Sequence, residues 1–149
     1  MIDEHLISTL RTTLQFAEGF RNEVYLDSEG LPTCGWGHQL YVGSKVPKQA
    51  CEAFLDLDMA EALVDYHRLP QDLQITLSSF PVREQALIEM FFLMGYQRTM
   101  WFTRMWVAIR QQDWDTAARE VLDSNFGRKQ PRRATRISNM ILLNEMPKE

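Results

Sequence analysis

The stretch Glu18-Gly-Phe-Arg-Asn-Glu-Val-Tyr-Leu-Asp-Ser-Glu-Gly-Leu-Pro-Thr-Cys-Gly-Trp-Gly-His38, EGFRNEVYLDSEGLPTCGWGH, holds two candidate catalytic carboxylates, a candidate hydroxyl and four glycines in 21 residues. Ahead of it, Leu6, Ile7, Leu10, Leu14 and Ala17 recur at helical spacing, with Asp3 as a candidate N-cap and Gly19 as the stop. Residues 4–18 are therefore predicted to form an amphipathic helix that ends on Glu18. Within the stretch, Val24 and Leu26 alternate around Tyr25, the turn signal Asp27-Ser28-Glu29-Gly30 follows, and a second extended run leads to Gly37. A β-hairpin is expected, with Pro32 assigning the second run to a sheet edge because proline lacks the amide donor a central strand needs.

The remainder of the chain reads as helices. Pro47 opens a segment to about Leu69, a short piece follows Pro70, and Pro81 opens the apolar segment from Val82 to Met94, which Gly95 is expected to close. Further helices are predicted at Phe102 to Gln111, at Trp114 to Asp123 with Asp113 as N-cap, and from Pro131 to about Asn144. Helices outnumber strands, so the expected class is α+β, predominantly α. The tryptophans Trp101, Trp106 and Trp114, at helical spacing, are assigned to the core rather than to a ligand-stacking platform.

The chain has 149 residues, 45% of them hydrophobic and 24% charged, the usage of one ordinary globular domain. No apolar run approaches the roughly 18 residues of a membrane helix, and the acidic start MIDEHLIST lacks the apolar region of a secretory signal, so stable membrane insertion is not expected and synthesis is assigned to the cytoplasm. Cys34 and Cys51 are too few and too far apart for a multi-cysteine zinc site and are expected to be reduced thiols. No metal or organic cofactor is expected. Net charge is −4, yet residues 1–67 carry −7 and residues 68–149 carry +3. Between Ser124 and Asn144 lie Arg128, Lys129, Arg132, Arg133 and Arg136 with no acid. Such a patch suits an anionic partner or a solvated helix face equally. With overall negative charge and no nucleic-acid-binding motif, nucleic acid is not an expected partner.

Acetal hydrolysis requires an acid to protonate the departing oxygen and a second carboxylate that attacks or activates water. Glu18, set between Phe16 and Phe20, is expected in an apolar pocket that keeps it protonated, while Asp27 in a wet turn stays ionised. By spacing alone, a helix-end glutamate and a turn aspartate are more often capping and turn residues.

The order Glu18, eight residues, Asp27, five residues, Thr33, then Cys-Gly-Trp-Gly-His38 resembles the active-site signature of the phage-type lysozymes, a muramidase family. Further likenesses follow in order: Val82 to Gly95 resembles the family's central helix, Phe102-Thr103 and Trp114-Asp115-x-Ala-Ala118 the next pair, and Pro131-x-Arg133-Ala134-x-Arg136 the start of the last. The resemblance implies a lysozyme-like fold across residues 1–149 as a single domain. Its small β subdomain would span about 19–46 and its connecting helix about 47–69, with 1–18 and 70–149 forming a helical lobe and the substrate cleft lying between lobes. It implies hydrolysis of the β-1,4 bond between N-acetylmuramic acid and N-acetylglucosamine in peptidoglycan. Glu18 would be the general acid, Asp27 would activate or orient the attacking water, and Thr33 would hold that water. The family's inverting course implies carboxyls about 6.5–9.5 Å apart.

By the same resemblance, Arg133 and Arg136 lie near the catalytic glutamate, with Arg133 orienting it, and His38 is structural and pairs with Asp58. Gln39 and Phe92 fall at substrate-contact positions. Cys34, Trp36, Leu93 and Phe126 depart from the family pattern and put substrate preference in question. The implied setting is endolysin-type lysis by a monomer made in the infected cell, released through a holin or carried on a virion. The alternative is a catalytically retired lysozyme-fold module that binds peptidoglycan or a protein partner.

Overall fold

In a computed structural model that describes residues 4–148, the helix before the opening stretch is α1, Glu4–Glu18. It stops where Gly19 takes a φ of 66°, in the left-handed region that glycine enters without a Cβ penalty. The N-cap assigned to Asp3 lies outside the described residues.

Three strands follow: β1 Arg21–Leu26, β2 Pro32–Gly35 and β3 His38–Gln39. They form an antiparallel sheet in the order β1-β2-β3. Pro32 therefore begins the central strand, contrary to the edge assignment. It is tolerated as the first strand residue, a position where proline is admitted. Its carbonyl still serves the sheet end, accepting from Leu40 N at 2.7 Å. Thr33 is the Cα partner of both Tyr25 on β1 and Gln39 on β3.

Contacts divide the chain into two compact units, one up to Pro47 and one from Lys48 onward. The second contains α2 Lys48–His67, α3 Gln71–Ser78, α4 Pro81–Met100, α5 Thr103–Arg110, α6 Trp114–Leu122, α7 Asn125–Lys129 and α8 Pro131–Leu143. Its core is formed by Leu73 and Leu77 of α3, Leu87 and Met90 of α4, Met105 and Ile109 of α5, Val121 of α6 and Ile137, Met140 and Ile141 of α8, all fully or almost fully buried. Removing this apolar area from water is the main force holding the helices together. Asp113 caps α6 as its sequence predicts, accepting from Thr116 N at 3.1 Å.

The sequence and the structure part at Gly95. The residue does break the helix, with φ 73° and ψ 174°, but the chain re-enters helical geometry and α4 continues to Met100. Buried Thr99 stabilises the break: its Oγ1 lies 2.8 Å from Gly95 O and 3.1 Å from Met90 O, and its own carbonyl accepts from Trp106 Nε1 at 3.0 Å. Replacing Thr99 by valine keeps the shape and removes the hydroxyl donor that the Met90 and Gly95 carbonyls share. We expect a loss of about 1–2 kcal/mol in urea unfolding; an unchanged midpoint would show that the hydroxyl does not hold the break.

A reciprocal cap joins the start of α4 to the end of α8. Asn144 takes the left-handed conformation (φ 54°) that ends α8, and its Oδ1 accepts from Val82 N at 3.2 Å and Arg83 N at 3.3 Å in the first turn of α4. Arg83 returns the bonds, donating Nε to Ile141 O at 2.6 Å and Nη2 to Leu142 O at 2.9 Å. Its guanidinium lies 4.2 Å from the Trp114 ring centroid, so this buried cation meets carbonyl oxygens and an aromatic face.

Trp106 is in the core as its spacing predicts, whereas Trp101 is 74% exposed, which corrects its core assignment. The tryptophan follows the irregular end of α4, where helical spacing no longer predicts which way a side chain faces. Among the described residues, no helix is long and apolar enough to cross a membrane.

Candidate active site

The sequence Asp27-Ser28-Glu29-Gly30 forms the turn between β1 and β2 because Asp27 ties it at both its backbone and its carboxylate. Asp27 N donates to Leu31 O at 2.9 Å, and Gly30 N, with Gly30 at φ 78°, donates to Asp27 O at 3.0 Å. Asp27 Oδ1 accepts from Glu29 N and Leu31 N, each at 2.9 Å. This is the aspartate turn geometry that makes the residue common at such sites.

Oδ2 points to the neighbouring strands. Gln39 Nε2 donates to it at 3.0 Å, and Thr33 Oγ1 lies 3.4 Å away. The Thr33 hydroxyl has a shorter partner in Leu31 O at 3.0 Å. Backbone donation from Leu31 is the largest influence holding the Asp27 carboxyl below its ordinary range. Desolvation opposes it, and the donors on Gln39, Glu29 and Thr33 reinforce it. Asp27 is thus an ionised carboxylate at neutral pH. A lowered folded-state value also means that its contribution to stability is present above the unfolded carboxyl range and disappears as pH falls through the folded value.

Glu18 closes α1 and meets the turn between β2 and β3. A Cβ built on Gly37, at φ 75°, would lie 2.9 Å from Glu18 Oε2, so glycine is what admits the carboxylate there. The apolar pocket expected from its neighbours is not formed by them: Phe16 is 92% and Phe20 60% exposed. Phe20 instead pairs with Trp36 at a centroid separation of 4.7 Å. The first unit therefore brings Asp27, Thr33 and Gln39 into one hydrogen-bonded group and sets Glu18 against the β2–β3 turn of the same sheet.

A family model for phage lysozyme matches residues 15–135, a span that includes all of these side chains. The chain belongs to the phage lysozyme family. It is accordingly a lysozyme, a muramidase-type glycoside hydrolase whose substrate is peptidoglycan, with the mainly helical fold and small antiparallel sheet of that family. Among relatives, probable T4-type lysozyme 1 of Dictyostelium discoideum is 25% identical, the match covering 91% of this chain and 95% of the relative. Probable T4-type lysozyme 2 of the same organism is 24% identical over 89% of this chain and 92% of its own length. The pre-baseplate central spike protein Gp5 of Enterobacteria phage T4 is 27% identical over 97% of this chain, which spans 29% of that longer protein.

The other residues singled out in this lysozyme occupy defined places within their own units. His38 is on β3, in register with Cys34. Phe92 is 41% exposed and lines a groove of about 480 Å³ with Met59, Leu63, Ile88 and Ile137. At the rim of that groove Arg136 forms a two-pronged pair with Glu89, which holds the guanidinium in its charged form. Arg133 Nη1 donates to Gln130 Oε1 at 3.2 Å. Leu93, Trp101 and Phe126 line a second cavity of about 620 Å³. Among the described residues, no group of three or more His, Cys, Asp or Glu side chains is arranged to hold a metal ion. Gln39 was expected to contact substrate, and its bond to Asp27 had no sequence signal beyond its place after His38.

Proposed function

We propose that this lysozyme hydrolyses the β-1,4 bond between N-acetylmuramic acid and N-acetylglucosamine by inversion, with Glu18 as general acid and Asp27 as the carboxylate that directs the attacking water. Glu18 gives its proton to the glycosidic oxygen as the bond from the anomeric carbon breaks. Water forms the new bond to that carbon from the opposite face and loses its proton toward Asp27, while the negative carboxylate offsets positive charge on the sugar ring. Thr33 holds the water: its buried Oγ1, 3.0 Å from Leu31 O and 3.4 Å from Asp27 Oδ2, keeps an oxygen lone pair for a single water placed beside the carboxylate. The observation that carries this reading is the set of three donors, Glu29 N, Leu31 N and Gln39 Nε2, that hold the Asp27 carboxylate at 2.9–3.0 Å.

The enzyme acts as a monomer in endolysin fashion, made in the producing cell's cytoplasm and reaching the wall through a holin. The likeness to Gp5 over nearly the whole chain favours a second route, in which it arrives on a virion. Purified protein should clear a suspension of outer-membrane-stripped Gram-negative cells and yield fragments whose new reducing ends are N-acetylmuramic acid. Their initial anomeric configuration, read by NMR, should be α. Asp27→Asn should slow clearing by about 100-fold while retaining the fold. A folded Asp27→Asn protein at full rate removes that residue from the chemistry, and β product overturns inversion.

A further inference from the structure

Gln39 is exposed on a two-residue strand, and its amide is spent on an acid rather than on solvent. We propose that Gln39 is a positioning residue for the Asp27 carboxylate, filling one lone pair of Oδ2 so that the other faces Thr33 and the attacking water. The proposal rests on the muramidase reading above and assigns Gln39 a role distinct from sugar contact.

The geometry supports it by counting acceptor sites. A carboxylate has about four lone-pair positions. Two, on Oδ1, are occupied by Glu29 N and Leu31 N at 2.9 Å. Gln39 Nε2 takes a third at 3.0 Å. The fourth meets Thr33 Oγ1 only at 3.4 Å, and that hydroxyl has the nearer acceptor Leu31 O at 3.0 Å. Oδ1 is therefore a structural oxygen and Oδ2 the working one, with a single direction left for an incoming proton. The sheet enforces this choice, because Gln39 and Thr33 are Cα partners across β2 and β3 and so approach the same oxygen from adjacent strands. The ionisable groups on the surrounding segments are Glu29 in the turn, Arg21, Glu23 and Tyr25 on β1, Cys34 on β2 and His38 on β3. Among the described residues none of these side chains forms an ion pair with Asp27, so neutral donors set its state.

The test compares wild type, Gln39→Leu and the isosteric Gln39→Glu on soluble peptidoglycan oligomers, together with a ¹³C titration of the Asp27 carboxyl in the free proteins. Loss of one hydrogen bond to a charged group corresponds to a fall in kcat of about 10-fold, with KM within about 2-fold. Because Gln39 favours the ionised form, both variants should titrate Asp27 at higher pH and move the acid limb of kcat/KM the same way. A rise in KM at unchanged kcat would make Gln39 a substrate contact and overturn the proposal, as would an unmoved titration in both variants. If wild type cleaves nothing, the muramidase reading falls and the positioning role in catalysis with it, yet a raised titration would still establish the bond between Gln39 and Asp27.

Discussion

Glu18→Gln is expected to lower the rate of peptidoglycan cleavage by about 1000-fold and to leave the melting temperature within about 2 °C of wild type. Glutamine has the same shape and hydrogen-bonding reach but has no proton to give the departing oxygen, and general acid catalysis is worth roughly 10²–10⁴ in rate. The fold should not register the change because Glu18 is exposed and ends its helix, with its carboxylate against Gly37. Rate and stability measured on one preparation separate the chemical role from a capping role. A variant within ten-fold of wild type would remove Glu18 as the acid, and a variant that is inactive because it is unfolded would make it a structural residue. The expected profile is a folded, monodisperse protein that does not clear cells.

The second large effect lies in the helical unit. Gly127, in the short helix α7, has no room for a methyl group: a Cβ would come within 2.0 Å of Leu122 O and 2.9 Å of Val121 O. These are backbone atoms at the end of α6, so no side chain can rotate away, and α6 and α7 must separate. The strain spreads to the Ser124 cap, whose Oγ accepts from Gly127 N at 3.0 Å, and to buried Phe126 beside it. Overpacking of this kind typically costs 1–3 kcal/mol and occasionally more. We expect Gly127→Ala to lose about 3 kcal/mol and to melt about 10 °C below wild type by circular dichroism. A fall under 2 °C would show that the corner yields without cost.

Much of the fold was legible because local chemistry and tertiary structure agree. The end of α1 at Gly19, the proline starts of α4 and α8 and the Asp113 cap follow from backbone requirements that no distant contact needs to supply. The Asp27 turn was legible for the same reason: its carboxylate satisfies amides two and four residues onward. What failed depended on direction or register. Phe16, two residues before Glu18 on α1, does not share its face, and Phe20 lies beyond the left-handed stop at Gly19, so sequence proximity did not make an enclosure. The bond from Gln39 to Asp27 spans twelve residues and depends on the register of a two-residue strand, too short to carry a periodic signal. α7 spans five residues and contains a glycine, leaving Ser124 as its main local mark. Pro32 misled because a rule about strand interiors was applied to a first position.

The vacant hydrogen position on Gly37 has meaning for reading other genomes. With Glu18 Oε2 only 2.9 Å from where a methyl would go and the backbone at φ 75°, even alanine at this place must shift the Glu18 carboxylate, the proposed proton donor, or strain the β2–β3 turn. A paralogue that keeps every acidic residue but has gained a side chain here should therefore be suspected of having given up cutting glycans, a loss that a survey of carboxylates alone would overlook.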